Sequence, residues 1–353
     1  MSLERPLSVT LTSARTAVGP TVDQTCASIR ANLIRLREDP SYVTIPADPA
    51  DEPRPARIAR VDDVDPALDG RDRLLALLEP TLADMLEHAE HLRRDAPRAA
   101  LLVALPAADA ITDAWDLATF PAALLARLGV PFASVHVSRA GRTGVFALLS
   151  EASGILARGA AELCVVAGVD SYLTPARLAH YDEAERLRSP RNADGFFPGE
   201  AAAALLVEPE RRVTARGATA HLQIVGLGSG NEPETVRSDK PSTGKGLTDA
   251  LRKALGDTPA PRWAISDFNG ETYRGYEWGL VHARLGDRLN ALEAMSYPAR
   301  NTGDIGAASG AVLVSLAAAA FRRGWAPDGE AILWTGSDGT ERAAARVAKT
   351  TEA

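Results

Sequence analysis

A short segment between a predicted strand and a predicted helix has the clearest potential for chemistry in this 353-residue chain. Residues 138–144 read Ser-Arg-Ala-Gly-Arg-Thr-Gly, after an apolar strand over 131–137 and before a helix over 145–157. A sharp strand-to-helix turn is the geometry by which several enzymes expose a nucleophile. The middle of this turn is Gly141, which tolerates the positive φ of such an elbow but offers no nucleophilic atom.

Two hydroxyl groups flank that turn, and Ser138 is the alternative nucleophile. Neither Ser138 nor Thr143 has a histidine in its motif. His136 lies two residues before Ser138 and therefore projects to the same face of the strand. Strand neighbours two apart are not oriented as a nucleophile and its base, so we predict His136 to be a satisfied core histidine.

Three later segments and a terminal loop place glycines and polar residues at predicted junctions between strands, loops and helices. Residues 193–202 read Ala-Asp-Gly-Phe-Phe-Pro-Gly-Glu-Ala-Ala, and residues 267–272 read Asp-Phe-Asn-Gly-Glu-Thr. Residues 300–310 read Arg-Asn-Thr-Gly-Asp-Ile-Gly-Ala-Ala-Ser-Gly, and residues 336–339 read Gly-Ser-Asp-Gly. Together with the elbow they form an ordered set of glycine-bearing motifs.

In this order, the segments resemble the motifs of β-ketoacyl synthases, which are members of the thiolase superfamily. The family's elbow reads roughly Ala-Cys-x-Ser/Thr-Gly, and its later motifs read Asp-Gly-Phe-x-x-Gly-Glu-Gly-Ala, Asn-Ala-His-Gly-Thr and Lys-x-x-x-Gly-His-x-x-Gly-Ala-Ala-Gly. The resemblance extends from about residue 99 to the C-terminus, whereas the first hundred residues match poorly. It implies the thiolase-like fold, with residues 336–339 as the loop that closes the pocket.

The departures from the family fall on the residues that carry its chemistry. The resemblance aligns the acyl-carrying cysteine with Gly141, the two histidines with Asn269 and Asp304, and the lysine with Ala299. Condensation needs a nucleophile that holds the acyl group and donors that stabilise an enolate, which an ionised Asp304 would repel. We therefore expect a catalytically inactive pseudoenzyme that binds, scaffolds or acts as a chain-length-factor-like partner.

Two alternatives stay open. One is an acyltransferase or hydrolase of the same fold, which would use Ser138 or a bound water, Asp304 as the base and Asn269 as an oxyanion donor. The other is an adaptor in a bacterial secretion or effector locus, which no residue pattern encodes. Stable acylation, or turnover that is lost in Asp304→Ala, would favour the enzyme.

The predicted pocket is polar and charge-paired, in place of an apolar acyl tunnel. The segment after Asn269 concentrates charged and aromatic residues, a composition that suits either a recognition surface or a helix start with its own salt bridges. Arginines close to the elbow could pair with Asp304 and Glu271. The predicted lining consists of Arg139, Arg142, Glu271, Arg300 and Asn301.

Composition argues against several other classes of protein. A net charge of −7 and a pI near 5.5 disfavour nucleic-acid binding. Cys26 and Cys164 are predicted to be buried apolar residues, and two cysteines form neither a disulfide framework nor a metal cluster. His88 and His91 lie three apart on a predicted helix without an acidic or cysteine partner that would mark a site. We therefore predict no metal and no cofactor.

The first residues contain no apolar signal core, and the weakly polar run 305–321 is shorter than the roughly 20 residues that a membrane span needs. We therefore expect a cytoplasmic protein without a membrane span, in which 305–321 is part of a buried helix.

Apolar strands alternate with helices along the chain, which predicts α/β sheets that are covered on both faces. The predicted fold is a thiolase-like layered α/β structure with mixed sheets and two similar halves, residues 1–210 and 211–353. The resemblance implies pairing across the strand 131–137, either as a homodimer or as a heterodimer with an active ketosynthase. An acyl-carrier protein is a further candidate partner.

Three local predictions concern the surroundings of these motifs. Residues 40–66 are rich in proline and acidic residues and are predicted as a surface excursion. Residues 226–230 read Gly-Leu-Gly-Ser-Gly and are predicted as a turn, because no helix opens at the last glycine. Residues 242–245 read Ser-Thr-Gly-Lys and open a helix, with Ser242 or Thr243 as its N-cap.

Overall fold

The computed structural model of the protein describes residues 5–48, 50–289 and 291–350, and within them it contains a ten-stranded mixed sheet and a separate two-stranded ribbon. The strands are β1 (Leu7–Thr16), β2 (Arg37–Thr44), β3 (Arg54–Ile58), β4 (Ala99–Ala104), β5 (Ser134–Ser138), β6 (Leu163–Ser171), β7 (Glu200–Pro209), β8 (Leu222–Asn231), β9 (Trp263–Ser266), β10 (Ala294–Ser296), β11 (Glu330–Gly336) and β12 (Glu341–Ala348). The helices are α1 (Val22–Arg30), α2 (Gly70–His88), α3 (Glu90–Asp95), α4 (Phe120–Leu128), α5 (Gly144–Ala157), α6 (Pro175–Glu183), α7 (Glu210–Ala215), α8 (Lys245–Leu255), α9 (Thr272–Leu285), α10 (Ala299–Thr302) and α11 (Ser309–Arg323).

The strand order of the large sheet repeats itself within the described residues. One end runs β1-β7-β6-β4-β5 and the other runs β8-β12-β11-β9-β10, so each set orders its strands as first, fifth, fourth, second and third. In both sets the first two neighbouring pairs are antiparallel and the last two are parallel. The sets join through a short antiparallel pairing of β1 with β8. The predicted division after residue 210 falls between β7 and β8 and stays a prediction.

Helices cover both faces of each half, which produces a layered α/β structure. The largest apolar cluster packs α1, α5 and α11 against one face of both sets of strands. A second cluster covers the other face of the first set with α2 and α4, and a third covers the second set with α8 and α9. Helix α11 is buried from Ser309 to Phe321, because its small side chains let it lie close to its neighbours. None of the described helices is both long and apolar enough to cross a membrane.

The prediction of a turn over residues 226–230 is wrong, because these residues continue β8 to Asn231. Gly226, Gly228 and Gly230 lie on the face of β8 that packs against α8. A Cβ atom on any of them would collide with a backbone carbonyl oxygen of that helix. Glycine therefore permits close packing of a helix on a strand here. Glycines are equally typical of turns, so the sequence alone does not distinguish the two.

Several further elements differ from the sequence-based expectation. The predicted surface excursion over 40–66 includes most of the β2–β3 ribbon, whose residues Ala56 and Ile58 are buried against Leu173. The N-cap residue of α8 is Gly244 rather than Ser242 or Thr243, and the Glu232 carboxylate accepts hydrogen bonds from the backbone N–H groups at 243 and 246. Helix α6 and strand β12 had no predicted counterpart.

The predicted burial of both cysteines is confirmed. Cys26 packs under α11 and Cys164 lies within β6, and burial raises the pKa of each thiol to about 12. A thiol with so high a pKa is almost wholly protonated at neutral pH, and thiolate is the nucleophilic form. Neither cysteine is therefore placed to act as a nucleophile.

Candidate functional site

The elbow is built by β5, a 3-10 turn over Gly141–Thr143 and the start of α5. Gly141 has a φ of +56°, in the left-handed region that side-chain-bearing residues rarely adopt. A Cβ atom at this position would lie 3.0 Å from the Ala107 Cβ atom and 3.3 Å from its backbone nitrogen. The loop after β4 therefore presses against the elbow, and a side chain at 141 would need both strain and a shift of that loop.

Two of the other motifs converge on the elbow because each lies at the end of a strand in the parallel parts of the sheet. The loop 267–271 follows β9, the loop 337–339 follows β11, and Asp170 lies near the end of β6. Carboxyl ends of neighbouring parallel strands open at the same edge of a sheet, where α/β proteins commonly bind ligands. Asp304, in the loop before α11, reaches the same place through its ion pair with Arg142.

Asp304 is fully engaged by protein groups. Its side chain is 2% exposed and forms an ion pair with Arg142, whose side chain is 3% exposed. The Oδ2 atom also accepts a hydrogen bond from Asn269 Nδ2 at 2.8 Å, and Oδ1 accepts one from the Gly306 backbone nitrogen at 3.0 Å. The pairing of Arg142 with Asp304 that the sequence suggested is therefore present, and protein groups hold the carboxyl group in place.

The side-chain amide of Asn269 is also fully hydrogen-bonded to protein groups. Its Nδ2 atom donates to Asp304 Oδ2 and to Glu271 Oε2, each at 2.8 Å, so both amide protons have acceptors. Its Oδ1 atom accepts from the Glu271 backbone nitrogen at 3.2 Å. An amide whose two protons are bound to carboxylates has none left to stabilise an oxyanion in this arrangement.

Two further arginines complete the charge network: Arg186, which lies in no sequence motif, and Arg274, which lies in the charged and aromatic segment after Asn269. Arg186 donates to Glu271 Oε1 and to Asp338 Oδ2, each at 2.7 Å. Arg274 donates to Asp338 Oδ1 at 3.1 Å and to the Gly336 carbonyl oxygen at 2.7 Å. Burial alone would raise the pKa of Asp338, but Arg186 and Arg142 outweigh it and hold that pKa well below its usual range. Sequence reasoning missed Arg186 because its partners lie 85 and 152 positions away.

A second buried pair lies at the end of β6. Arg177 Nη1 donates to Asp170 Oδ1 at 2.6 Å, and Asp170 Oδ2 accepts from the Ala307 backbone nitrogen at 2.9 Å. The Arg177 guanidinium also lies 4.1 Å from the centre of the Tyr172 ring, a cation–π contact. Burial raises the pKa of Asp170, and the opposing effect of Arg177 only reduces that rise. This pair fastens the loop before α11 to the sheet.

A cavity of about 240 Å³ lies beside the elbow, and the predicted lining is correct only in part. Arg139, Gly141 and Arg142 line it, whereas Glu271 lies behind it in the charge network. Arg300 is exposed and outside the lining. Asn301 also lies outside the lining, and its Nδ2 atom donates to the Leu33 carbonyl oxygen at 2.8 Å, so it ties two loops together.

Arg139 and the alternative nucleophile are placed differently from the prediction. Arg139 pairs with Asp113 at 2.5 Å rather than with Asp304 or Glu271. Ser138 Oγ accepts from the Ala140 backbone nitrogen at 3.3 Å, and no hydrogen bond among the described residues joins it to a histidine. Ala299 begins α10 and is half-buried.

His136 is half-buried on the edge strand β5, so the prediction of a core histidine is wrong. Its Nδ1 atom lies 2.7 Å from Glu151 Oε1, and its Nε2 atom lies 3.0 Å from Ser134 Oγ. Neither contact involves Ser138. No cluster of three or more His, Cys, Asp or Glu side chains in the described part of the chain is arranged to hold a metal ion.

Sequence comparison gives partial matches. Residues 109–212 match the family model of the β-ketoacyl synthase N-terminal domain. The curated 3-oxoacyl-[acyl-carrier-protein] synthase 2 of Rhizobium meliloti (strain 1021) is 28% identical over 202 residues, which is 52% of this chain and 47% of that protein. The aligned region thus spans about half the length of that relative.

Solved structures match almost the whole chain. AntDE:AntF, a type II polyketide synthase acyl-carrier protein in complex with its ketosynthase bound to the hexaketide, has a TM-score of 0.79 at 15% identity, covering 98% of this chain and 100% of that one. An oxazolomycin ketosynthase domain from Streptomyces albus JA3453 has a TM-score of 0.79 at 15% identity, covering 99% and 76%. The ketosynthase from module 6 of the bacillaene synthase of Bacillus subtilis 168 has 0.75 at 16%, covering 98% and 72%. The predicted thiolase-like fold is therefore confirmed.

Proposed function

We propose that this ketosynthase-like chain, whose residues 109–212 match the β-ketoacyl synthase N-terminal domain, acts by binding and does not condense acyl groups. It would serve as a scaffold or as a chain-length-factor-like partner in fatty acid or polyketide biosynthesis. The observation that carries the proposal is the buried ion-pair network in which Asn269 and Asp304 are engaged. These are the positions that the family resemblance aligns with the two histidines.

The chemical requirements of condensation support a binding function without condensation. An acyl group must be held by a nucleophile, and Gly141 has none at the apex of the elbow. The enolate left by decarboxylation must be stabilised by donors, and both amide protons of Asn269 already meet carboxylates. The Asp304 carboxylate, at the position that the family resemblance aligns with the second histidine, donates no hydrogen bond and would repel the enolate charge. Each requirement fails for a separate physical reason.

The same contacts weaken the alternative of an acyltransferase or hydrolase. A general base needs an oxygen that can reach the proton of the attacking group. Asp304 has one oxygen on Arg142 and Asn269 and the other on the Gly306 backbone nitrogen. Ser138 has a backbone contact instead of a base. A binding role is therefore better supported than a second kind of catalysis, and no contact in the described residues points to a secretion-locus adaptor.

Acylation tests the proposal directly. Incubation of the wild-type protein with acyl-CoA and with acyl-loaded carrier protein is expected to leave its intact mass unchanged, because both thiols are buried and the elbow has none. Gly141→Cys is expected to acquire at most a thiol-dependent adduct and no condensation turnover, since Asn269 and Asp304 keep their partners. Mass spectrometry and release of CO₂ from a malonyl substrate are the measurements.

The control for that experiment is Gly159→Cys, because Gly159 also has a positive φ, +69°, but lies exposed, with no heavy atom within 4 Å of the point where a Cβ atom would stand. It reports the adduct that any accessible thiol would acquire. Stable acylation of the wild-type protein, or turnover that disappears in Asp304→Ala, would contradict the proposal and establish the acyltransferase or hydrolase.

Pairing across β5 is the proposed mode of assembly, as a homodimer or as a heterodimer with an active ketosynthase. Strand β5 is the outermost strand of its end of the sheet, and Val137 on it is 40% exposed. Such an edge is a ready site for pairing with another chain.

Val137→Arg is expected to raise the dissociation constant of the dimer by roughly tenfold or more, measured by light scattering across a dilution series. Val43→Arg is the matched control, because Val43 is 48% exposed on β2; an equal loss in both variants would refute the assignment.

A further inference from the structure

Four arginines line the cavity beside the elbow in the described chain. Arg142 and Arg177 are its buried members, with side chains 3% and 4% exposed, and Arg139 and Arg237 are more accessible. The cavity volume of about 240 Å³ suits a compact molecule rather than a long acyl chain. Its walls therefore concentrate hydrogen-bond donors in a small space.

Three nitrogens of these arginines are buried and unsatisfied. Arg139 Nε, Arg142 Nη1 and Arg177 Nε meet no acceptor among the described residues. Their neighbouring nitrogens are engaged: Arg142 Nη2 contacts Asp304 and lies 3.3 Å from the Tyr172 hydroxyl, and Arg177 Nη1 bonds Asp170. A buried guanidinium nitrogen without an acceptor is destabilising, and a small rotation of the guanidinium group toward an oxygen atom bound in the cavity would remove that cost.

The three aspartates of the same walls are already occupied. Asp338 accepts from two arginines that lie behind the cavity, and Asp170 accepts from Arg177 and from a backbone N–H group. Asp109 Oδ1 accepts from two backbone N–H groups of its own turn. Glu341 stands exposed at the rim. The capacity left inside the cavity is therefore mostly that of donors, which selects an acceptor-rich ligand.

We propose that this cavity binds a small oxyanion, a carboxylate or phosphate group of a compact polar molecule, with Arg142 and Arg177 as its deep donors and Arg237 at its mouth. Guanidinium groups match both anions because their N–H groups are planar and charge-assisted. The inference rests on the proposed non-condensing function, since an acyl-enzyme would need the same space beside the elbow. It adds to that function the chemical class of what the site holds.

Thermal unfolding of the full chain tests the assignment. Sodium phosphate and sodium succinate are titrated at fixed ionic strength, with sodium chloride as the reference. At least one of the two is expected to raise the Tm saturably, by roughly 1–3 °C above the chloride value. The salt that acts identifies the anion as phosphate or carboxylate. A Tm that never exceeds the chloride value with either salt would overturn the proposal.

Three variants locate the effect, each compared with its own Tm in chloride. Ala108→Trp fills the mouth of the cavity from an exposed wall position and is expected to abolish the rise. Arg237→Ala is expected to raise the apparent Kd about tenfold by removing one charge-assisted bond. Arg300→Ala, an exposed arginine outside the lining, is expected to leave the Kd unchanged. An undiminished rise in Ala108→Trp would show that the anion binds elsewhere.

The acylation measurement separates the two ways of failing. A protein that is neither acylated nor stabilised by either anion keeps the proposed function and loses the cavity assignment. A protein that is acylated at wild-type sequence loses the proposed function, and with it the premise that the cavity holds an oxyanion in place of an acyl group.

Discussion

Replacing Asp304 with alanine is expected to lower the free energy of unfolding by about 3–5 kcal/mol, because it leaves the buried Arg142 guanidinium without its principal counter-charge. Both side chains are almost fully buried, and Asp304 also holds Asn269 and the Gly306 backbone nitrogen. Asp338 lies 3.9 Å from Arg142 and is itself shared with two other arginines, so it compensates only in part. Equilibrium denaturation with urea measures the loss.

Two controls distinguish the loss of a buried pair from a general effect of losing an acidic residue. Asp23→Ala removes exposed ion pairs to Arg322 and Arg323 and is expected to cost below about 1 kcal/mol. Combining Asp304→Ala with Arg142→Met removes the uncompensated charge and is expected to recover part of the lost stability. A cost for Asp304→Ala no larger than that for Asp23→Ala would contradict the buried network, and so would a double variant less stable than Asp304→Ala.

Glu200→Ala is expected to be as damaging, again about 3–5 kcal/mol of unfolding free energy, although it lies outside the site. Glu200 and Arg73 are both 0% exposed, and Arg73 donates to the carboxylate through Nε at 2.7 Å and through Nη2 at 3.0 Å. The Ser171 hydroxyl and the Val61 backbone nitrogen donate to the same carboxylate. One side chain therefore joins α2, the end of β6 and the segment after the β2–β3 ribbon.

The matched control is Glu79→Ala, which removes a 3.3 Å pair with Arg127 between side chains that are 38% and 43% exposed. It is expected to cost about 0–1 kcal/mol, since exposed pairs are screened by water. Glu200→Gln keeps two polar atoms in place and should fall between the two alanine variants. If Glu79→Ala and Glu200→Ala cost the same, the fixed bidentate arrangement does not stabilise the fold as described.

Asp304→Ala and Glu200→Ala should also differ in their effect on anion binding. Glu200 lies outside the cavity lining, whereas Asp304 holds Arg142, one of the proposed ligand donors, through an ion pair. In the network around Asp304, the buried charges are paired with protein groups without a ligand. Such balance is what a low-dielectric interior demands of buried charges.

Local sequence patterns predicted the elements that position the site. The junction of β5 with α5 follows from two apolar runs that flank a glycine-containing turn, a pattern that acts over a few residues. Gly141 could be assigned to the apex of the elbow because only its position within a short motif mattered. Residues 226–230 were misread for the same reason, since glycines in a turn and glycines under a helix look alike until the helix is placed.

The charge network depended on contacts that no local pattern records. Arg142 was named because it lies in the elbow, but Arg186, which holds Glu271, belongs to no motif. Arg300 was predicted in the pocket from its neighbours in sequence, and the backbone turns its exposed side chain outside the lining. Pairing of charges far apart in sequence is decided by the packing of β6, β9 and β11, which brings their following loops to one edge.

Sequence by itself determined that the fold is thiolase-like and that the elbow carries glycine where the family resemblance expects a nucleophile. These follow from residue identity and short-range spacing, which the chain states directly. Tertiary structure decided that Asn269 and Asp304 are engaged in hydrogen bonds and an ion pair with other protein groups. It also decided that arginine donors line the cavity beside the elbow. Burial and long-range electrostatics make that decision, because the cost of a buried charge depends on which groups the folded chain places around it.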